Sequence, residues 1–229
     1  MGEKTLREKL GEKADNAAEL ATAVAANAAL PAAVIREVSS SKAGVRYKAI
    51  KVLKLVSEAD PKALGRHVAF FEGLLGSPSN ILKWNAIDIL ANLAAVDSGK
   101  RFTGLFEKFY GLLDEGSLIT SAHVIESSAR IVGARPALED RITRQLLRVE
   151  KIPLPTEECR NILRGKAVSA FSQYGGRSGN MERMLTFAEG LLACSRPATR
   201  KKAGQFLKKL APSARAERRE AAPGPEKHG

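Results

Sequence analysis

Cysteine, tryptophan and histidine are scarce in this sequence, with two, one and three copies in 229 residues, and aromatics make up only 5%. Cys159 and Cys194 lie far apart, outside any Cys-x-x-Cys or Cys/His cluster, which argues against a disulfide framework and a zinc site. Two isolated thiols suit a reducing compartment, so a cytoplasmic location is expected. A long apolar run is also missing. The Ala-rich stretch 14–35 is interrupted by Asp15, Asn16, Glu19, Asn27 and Pro31, so no membrane insertion is expected. The acidic residues at 3, 8, 12, 15 and 19 argue against an organellar leader. Gly175-Gly176-x-x-Gly179 runs into Asn180-Met181 without the Lys-Ser/Thr of a phosphate-binding loop. His67 and His123 have no second ligand at helical spacing, and the carboxylate pairs Glu139-Asp140 and Glu157-Glu158 sit at helix openings, where they favour the dipole. Accordingly no catalytic residue, no cofactor and no metal are expected.

Alanine and leucine are abundant, and the 44% hydrophobic content is enough for a substantial core. Poverty in aromatics combined with richness in Ala and Leu favours closely packed helices over a sheet, so the fold class is all-α. Apolar residues at Leu82, Ala86, Ile89, Leu90 and Leu93 form one helical stripe, repeated at Val45, Ala49, Val52, Leu53, Val56 and at Leu163, Ala167, Ala170, Phe171, Tyr174. Two ladders run through the chain. Ala49, Ala86, Ala122, Ala167 and Ala203 are separated by 37, 36, 45 and 36 residues, and the Leu-Leu pairs ending at 75, 113, 147 and 192 by 38, 34 and 45. A period in the high thirties holding two helices is the mark of a solenoid whose hairpins bury their faces against one another.

Proline and glycine set the boundaries. Asp60-Pro61 and Pro136 open first helices, expected near 61–75, 99–114, 136–149 and 180–194. Second helices are expected near 43–57, 80–95, 117–132, 157–174 and 197–210. From Leu-Leu pair to ladder alanine the distance is 11, 9, 20 and 11 residues, which localises an insertion to 148–158, a proline-stiffened loop with Thr156 as the cap of the next helix. Residues 1–13 read as a charged tail or frayed helix, 14–211 as a single repeat domain with an N-terminal cap at 14–42, and 212–229 as a disordered basic tail.

These residues resemble HEAT or armadillo-type repeats, with the basic residue three before the ladder alanine present as Arg46, Lys83, Arg164 and Arg200. The third unit has Ile119 there, and Glu126 interrupts its stripe, which leaves its register open. The resemblance implies a right-handed α-solenoid of about five helical hairpins, with second helices on the concave side and a scaffolding role. Offsets −2, +2 and +5 from each ladder alanine are expected to face that concavity. They supply Tyr47, Lys51 and Lys54, with Lys48 beside them; Trp84 and Asp88; and Lys201 and Lys208, with Lys202 beside them.

The net charge is +12, and residues 196–229 carry ten Lys/Arg against Glu217, Glu220 and Glu226, seven of those twelve charges. The reading is a non-enzymatic adaptor for a protein or peptide of acidic character, bound through Tyr47, Lys51 and Trp84 with the basic C-terminal helix, while the competing reading of Trp84 is that it covers an inter-repeat joint at the edge of the core. Nucleic-acid binding through the two basic ends is the alternative. Trp84 and Asp88 are also similar to the Trp/Asp pair of alkylpurine DNA glycosylases built from such repeats, which implies base excision. Those enzymes add further groove aromatics and an Arg from the neighbouring repeat. This sequence has no second Trp, and no Arg in the front half of the next second helix. Oligomeric state leaves no mark in the pattern.

Overall fold

A computed structural model describes residues 1–97 and 101–221, the last eleven as backbone only. Among the described residues there are twelve α-helices and no strands. They pair as hairpins: α1 (Glu3–Gly11) with α2 (Ala17–Ala25), α3 (Leu30–Glu37) with α4 (Ala43–Ala59), α5 (Val68–Leu74) with α6 (Asn80–Leu93), α7 (Arg101–Gly111) with α8 (Leu118–Ala134), α9 (Glu139–Leu147) with α10 (Glu157–Tyr174), and α11 (Met181–Gly190) with α12 (Pro197–Ala221). The second helices α2, α4, α6, α8, α10 and α12 pack side by side in sequence order, with α1 on α2, α3 on α4, α5 on α6 and α11 on α12 closing their hairpins, while α8 and α10 meet theirs mainly through the turns Leu112–Glu115 and Arg148–Lys151. The result is a two-layer stack with a continuous core.

Local chemistry sets the ends of these helices. Asp60 accepts a hydrogen bond from the Lys62 amide ahead of Pro61, Ser117 accepts from Thr120, and Thr156 accepts from Cys159. First helices begin or end in 3-10 turns (Pro61–His67, Leu112–Glu115, Pro136–Leu138, Arg148–Lys151 and Leu191–Ala193) that tighten the hairpin corners. The basic residue three before each ladder alanine has a consistent task. Arg46 donates to the Ser40 carbonyl, Arg200 to those of Cys194 and Ser195, and Arg164 pairs with Glu150, so each ties its helix to the loop before it; Lys83 pairs instead with Glu115.

Three expectations need revision. The N-terminal segment is a docked helix: Leu6 and Leu10 stand one turn apart and are both buried, so α1 and α2 add a sixth hairpin. At the other end α12 continues as helix to Ala221, into the stretch read as tail, while 222–229 lie outside the described residues. The third correction concerns register. Exposed positions on α8 are Ile119, Glu126, Arg130 and Gly133, with His123 half-buried between them, whereas Val124 is fully buried. Val124, two residues beyond Ala122, is therefore the counterpart of the ladder alanines. Leu113 to Val124 is then 11 residues, as in the second and last units. In this register the place of the loop-tying cation falls to Ser121, whose buried hydroxyl has no hydrogen-bond partner.

The insertion folds back on α10. Val149 and Ile152 are buried, and Arg160 donates to the carbonyls of Val149, Glu150 and Ile152. Gly116 sits below it with φ +73°, where an added Cβ would lie 3.0 Å from the Pro153 carbonyl. Glycine is required there by both conformation and space.

Candidate functional site

The outward stripe of the second-helix layer runs at offsets −1, +2 and +6 from each ladder residue, counted from Val124 in α8; it is exposed in α12, half-buried to exposed in α4, α8 and α10, and covered at Asp88 in α6. Offsets −2 and +5 lie on the seam with the next second helix instead. The Arg46 guanidinium lies over the Tyr47 ring, 4.9 Å from its centroid, and the polar groups of Arg46 and then Ser79 draw the Tyr47 pKa below the usual tyrosine value. Trp84 Nε1 donates to Thr120 Oγ1 of α8 at 3.1 Å, and its ring stacks on His123 with centroids 5.8 Å apart and planes 11° from parallel. Trp84 is thus half-buried against the following repeat rather than exposed beside Tyr47.

Asp88 is the largest departure from expectation. Its carboxylate is buried at the junction of three helices, 2.7 Å from Lys54 Nζ of α4 and 3.3 Å from both His123 Nδ1 and Arg130 Nη2 of α8, and it accepts from Ser127 Oγ at 3.2 Å. Burial alone would raise its pKa. Hydrogen bonds from His123 and Lys54, with their charges, outweigh that and hold it well below the ordinary carboxylate range. An arginine does reach Asp88, from the back half of α8. What results is a closed ion cluster that consumes the acceptor capacity of Asp88, so the Trp/Asp pair presents no free carboxylate to a groove.

The N-terminal cations are also committed. Lys48 Nζ gathers the carbonyls of Glu12 and Ala14 and the side chain of Asn16, joining the α1–α2 connection to α4. Lys51 pairs with Asp15 at 3.0 Å. In mid-stack Glu126 pairs with Lys166. The last helix differs. Lys201, Lys202 and Lys208 are exposed and form no ion pair with any described residue, and Lys209 is held only by the Ser172 carbonyl at 3.2 Å. Of the nine residues singled out from sequence, the structure joins Lys54, Trp84 and Asp88 in one seam, puts Tyr47, Lys48 and Lys51 in another part of the layer, and leaves the three α12 lysines together at the end. The pairing of His123 and Arg130 with Asp88 was not legible because the third register, counted from Ala122, lies two residues early.

α12 meets α10 closely at two places. An added Cβ on Gly165 would lie 2.8 Å from Thr199 Oγ1, and one on Gly175 would lie 3.2 Å from Leu210. Between these contacts the helices leave a cleft of about 370 Å³ lined by Ser169, Ser172, Lys202, Gln205, Phe206 and Lys209. A larger cleft of about 510 Å³ lies between the insertion and α11, where Arg164 is already neutralised by Glu150 and Glu157. Among the described residues no group of three or more His, Cys, Asp or Glu could hold a metal, and no helix is long and apolar enough to cross a membrane.

Comparison with known proteins agrees on architecture. A designed armadillo repeat protein, solved with the peptide (KR)4, superposes with a TM-score of 0.63 at 15% identity, covering 91% of each chain. The chain is an all-helical repeat solenoid. A second engineered protein matches with a TM-score of 0.58 at 16% identity over 93% of this solenoid and 98% of its own chain. No family model and no curated protein matches the sequence. Both similar structures are repeat scaffolds or engineered proteins, and at these identities they speak to the fold of the solenoid alone.

Proposed function

We propose that this solenoid is a non-enzymatic scaffold that binds an acidic protein or peptide segment along its second-helix layer, docking at the C-terminal end. The observation that supports this reading is the uneven neutralisation of the exposed stripe. Lys51, Lys54, Asp88, Glu126 and Lys166 all have partners within the protein, whereas Lys202 stands without one, flanked by Lys201, Lys208 and Lys209. Desolvating cations that lack an internal counter-ion is favourable only when a partner brings negative charge, which gives the site its sign selectivity. The designed armadillo protein was solved with a basic peptide. The free charge on this face has the same sign as that peptide, so the segment it takes is acidic. A nucleic-acid backbone would need cations at regular intervals, and Asp88 and Glu126 interrupt them.

The test is fluorescence anisotropy with glutamate-rich, lysine-rich and neutral peptides of equal length. The acidic peptide should bind and weaken with salt, and Lys202→Glu/Lys209→Glu should abolish binding while Lys51→Glu leaves it intact. Equal binding of all three peptides, or an unaffected double variant, would overturn the reading.

A further inference from the structure

The α10–α12 cleft is a shaped feature within that basic end. Its two ends are closed by side chains of α12 packed against glycines, Thr199 against Gly165 and Leu210 and Phe206 against Gly175, positions where an added Cβ would collide. On the α12 wall, Lys202, Gln205 and Lys209 stand at i, i+3 and i+7, one face of the helix across about two turns, or ~10.5 Å. On the α10 wall, Ser169 and Ser172 each donate to the carbonyl four residues back, so their protons are spent within α10 and the donors facing an anion come from the α12 wall. Phe206 is buried and forms an apolar floor.

Charge and donor count narrow the occupant. Lys166 beyond the rim is neutralised by Glu126, and Arg196 by Glu158, so the cleft keeps the two charges of Lys202 and Lys209. Lys202 has three N–H donors and Gln205 a side-chain amide with no partner among the described residues, while Lys209 spends one donor on the Ser172 carbonyl. A single carboxylate would leave one cation unbalanced. A phosphate monoester carries about −1.5 to −2 at neutral pH, has three acceptor oxygens, and matches both the charge and the donors. Partial desolvation, with the nearby charge of Lys166 and against that of Glu126, draws the pKa of Lys202 below the usual lysine value.

We infer that the cleft between α10 and α12 is a receptor for a phosphate monoester borne on the docked segment. This rests on the scaffold reading above and names the group that the segment presents. The experiment uses the full chain and three glutamate-rich peptides identical except for a central serine, phosphoserine or glutamate. The phosphoserine peptide should bind about tenfold tighter or more than the serine form. Lys202→Gln/Lys209→Gln should erase that preference, while Lys201→Gln/Lys208→Gln, outside the cleft, should keep it. Competition by inorganic phosphate against the phosphopeptide alone would support recognition of the group itself. Equal binding of the three peptides would overturn the receptor while leaving the scaffold standing. Absence of any peptide binding would sink both, and inorganic phosphate binding in that case would assign the cleft to the free anion.

Discussion

Replacing Asp88 with asparagine probes the seam between α4, α6 and α8 with almost no change of shape. The asparagine keeps one acceptor oxygen but loses the charge that faces Lys54, His123 and Arg130, and its amide group meets those donors with N–H. Removing one member of a buried ion cluster costs about 3–5 kcal/mol when the partners are trapped. Here Lys54 and Arg130 retain 32% and 43% side-chain exposure and can turn to water, which reduces the expected loss to about 2–3 kcal/mol. For a chain of this size that is a fall in Tm of roughly 5–10 °C. Urea unfolding followed by circular dichroism measures it directly. The pH dependence gives a second check. Because the folded-state pKa of Asp88 is depressed, the native state binds fewer protons than the unfolded chain in acid, and the stabilisation is complete above the unfolded carboxylate value of about 3.9. It is lost as pH falls through the folded pKa. Wild type and variant should therefore differ at neutral pH and converge only in acid. Equal unfolding midpoints at neutral pH would refute the assignment of Asp88 as a structural tie.

Other perturbations have clear directions. Ser121→Ala removes a buried hydroxyl with no partner and should stabilise the fold by about 1 kcal/mol, a rare gain for a core substitution, read as a higher urea midpoint. Gly165→Ala gains helix propensity of about 1 kcal/mol but drives a methyl into Thr199, so the net result should be a loss of about 1–2 kcal/mol in urea unfolding; a more stable variant would contradict the close contact. Thr156→Ala removes the cap of α10, costs about 1 kcal/mol, and should speed amide exchange at Cys159. Leu6→Ala should cost about 2–5 kcal/mol if α1 is integral, measured by urea unfolding with hydrogen exchange localised to residues 3–11, and a neutral effect would restore the frayed-tail reading.

The ladder alanines were legible because each second helix meets the same packing demand: a small residue on its buried stripe. Ala49, Ala86, Ala167 and Ala203 are all fully buried for that reason. Ala122 misled by being an alanine at nearly the right spacing, although the short interval of nine residues from Leu113 already marked it as displaced. The exposed face was harder to read, since helical offsets say which residues avoid the first layer but not which meet the neighbouring second helix. Offsets −2 and +5 avoid the first layer and then fall on the seam, which buries Gly165 and Ala91 and half-covers Trp84. Asp88, at +2, lies on the exposed stripe by angle and is covered only because Lys54, His123 and Arg130 fold over it. No sequence period encodes such convergence of side chains from three helices.

At α12 the seam offsets are occupied by Lys201 and Lys208, both exposed, because no further helix follows in the described stack. Were those positions apolar, as the Trp84 seam is in part, the end of one molecule would offer a surface for the start of another. Head-to-tail contacts of that kind do not close and grow into filaments. Two ammonium groups on the last seam make such stacking expensive, much as lysines on an edge strand guard a sheet. The proposed docking charge of Lys202 and Lys209 thus has neighbours, Lys201 and Lys208, that weigh against stacking on this face of α12.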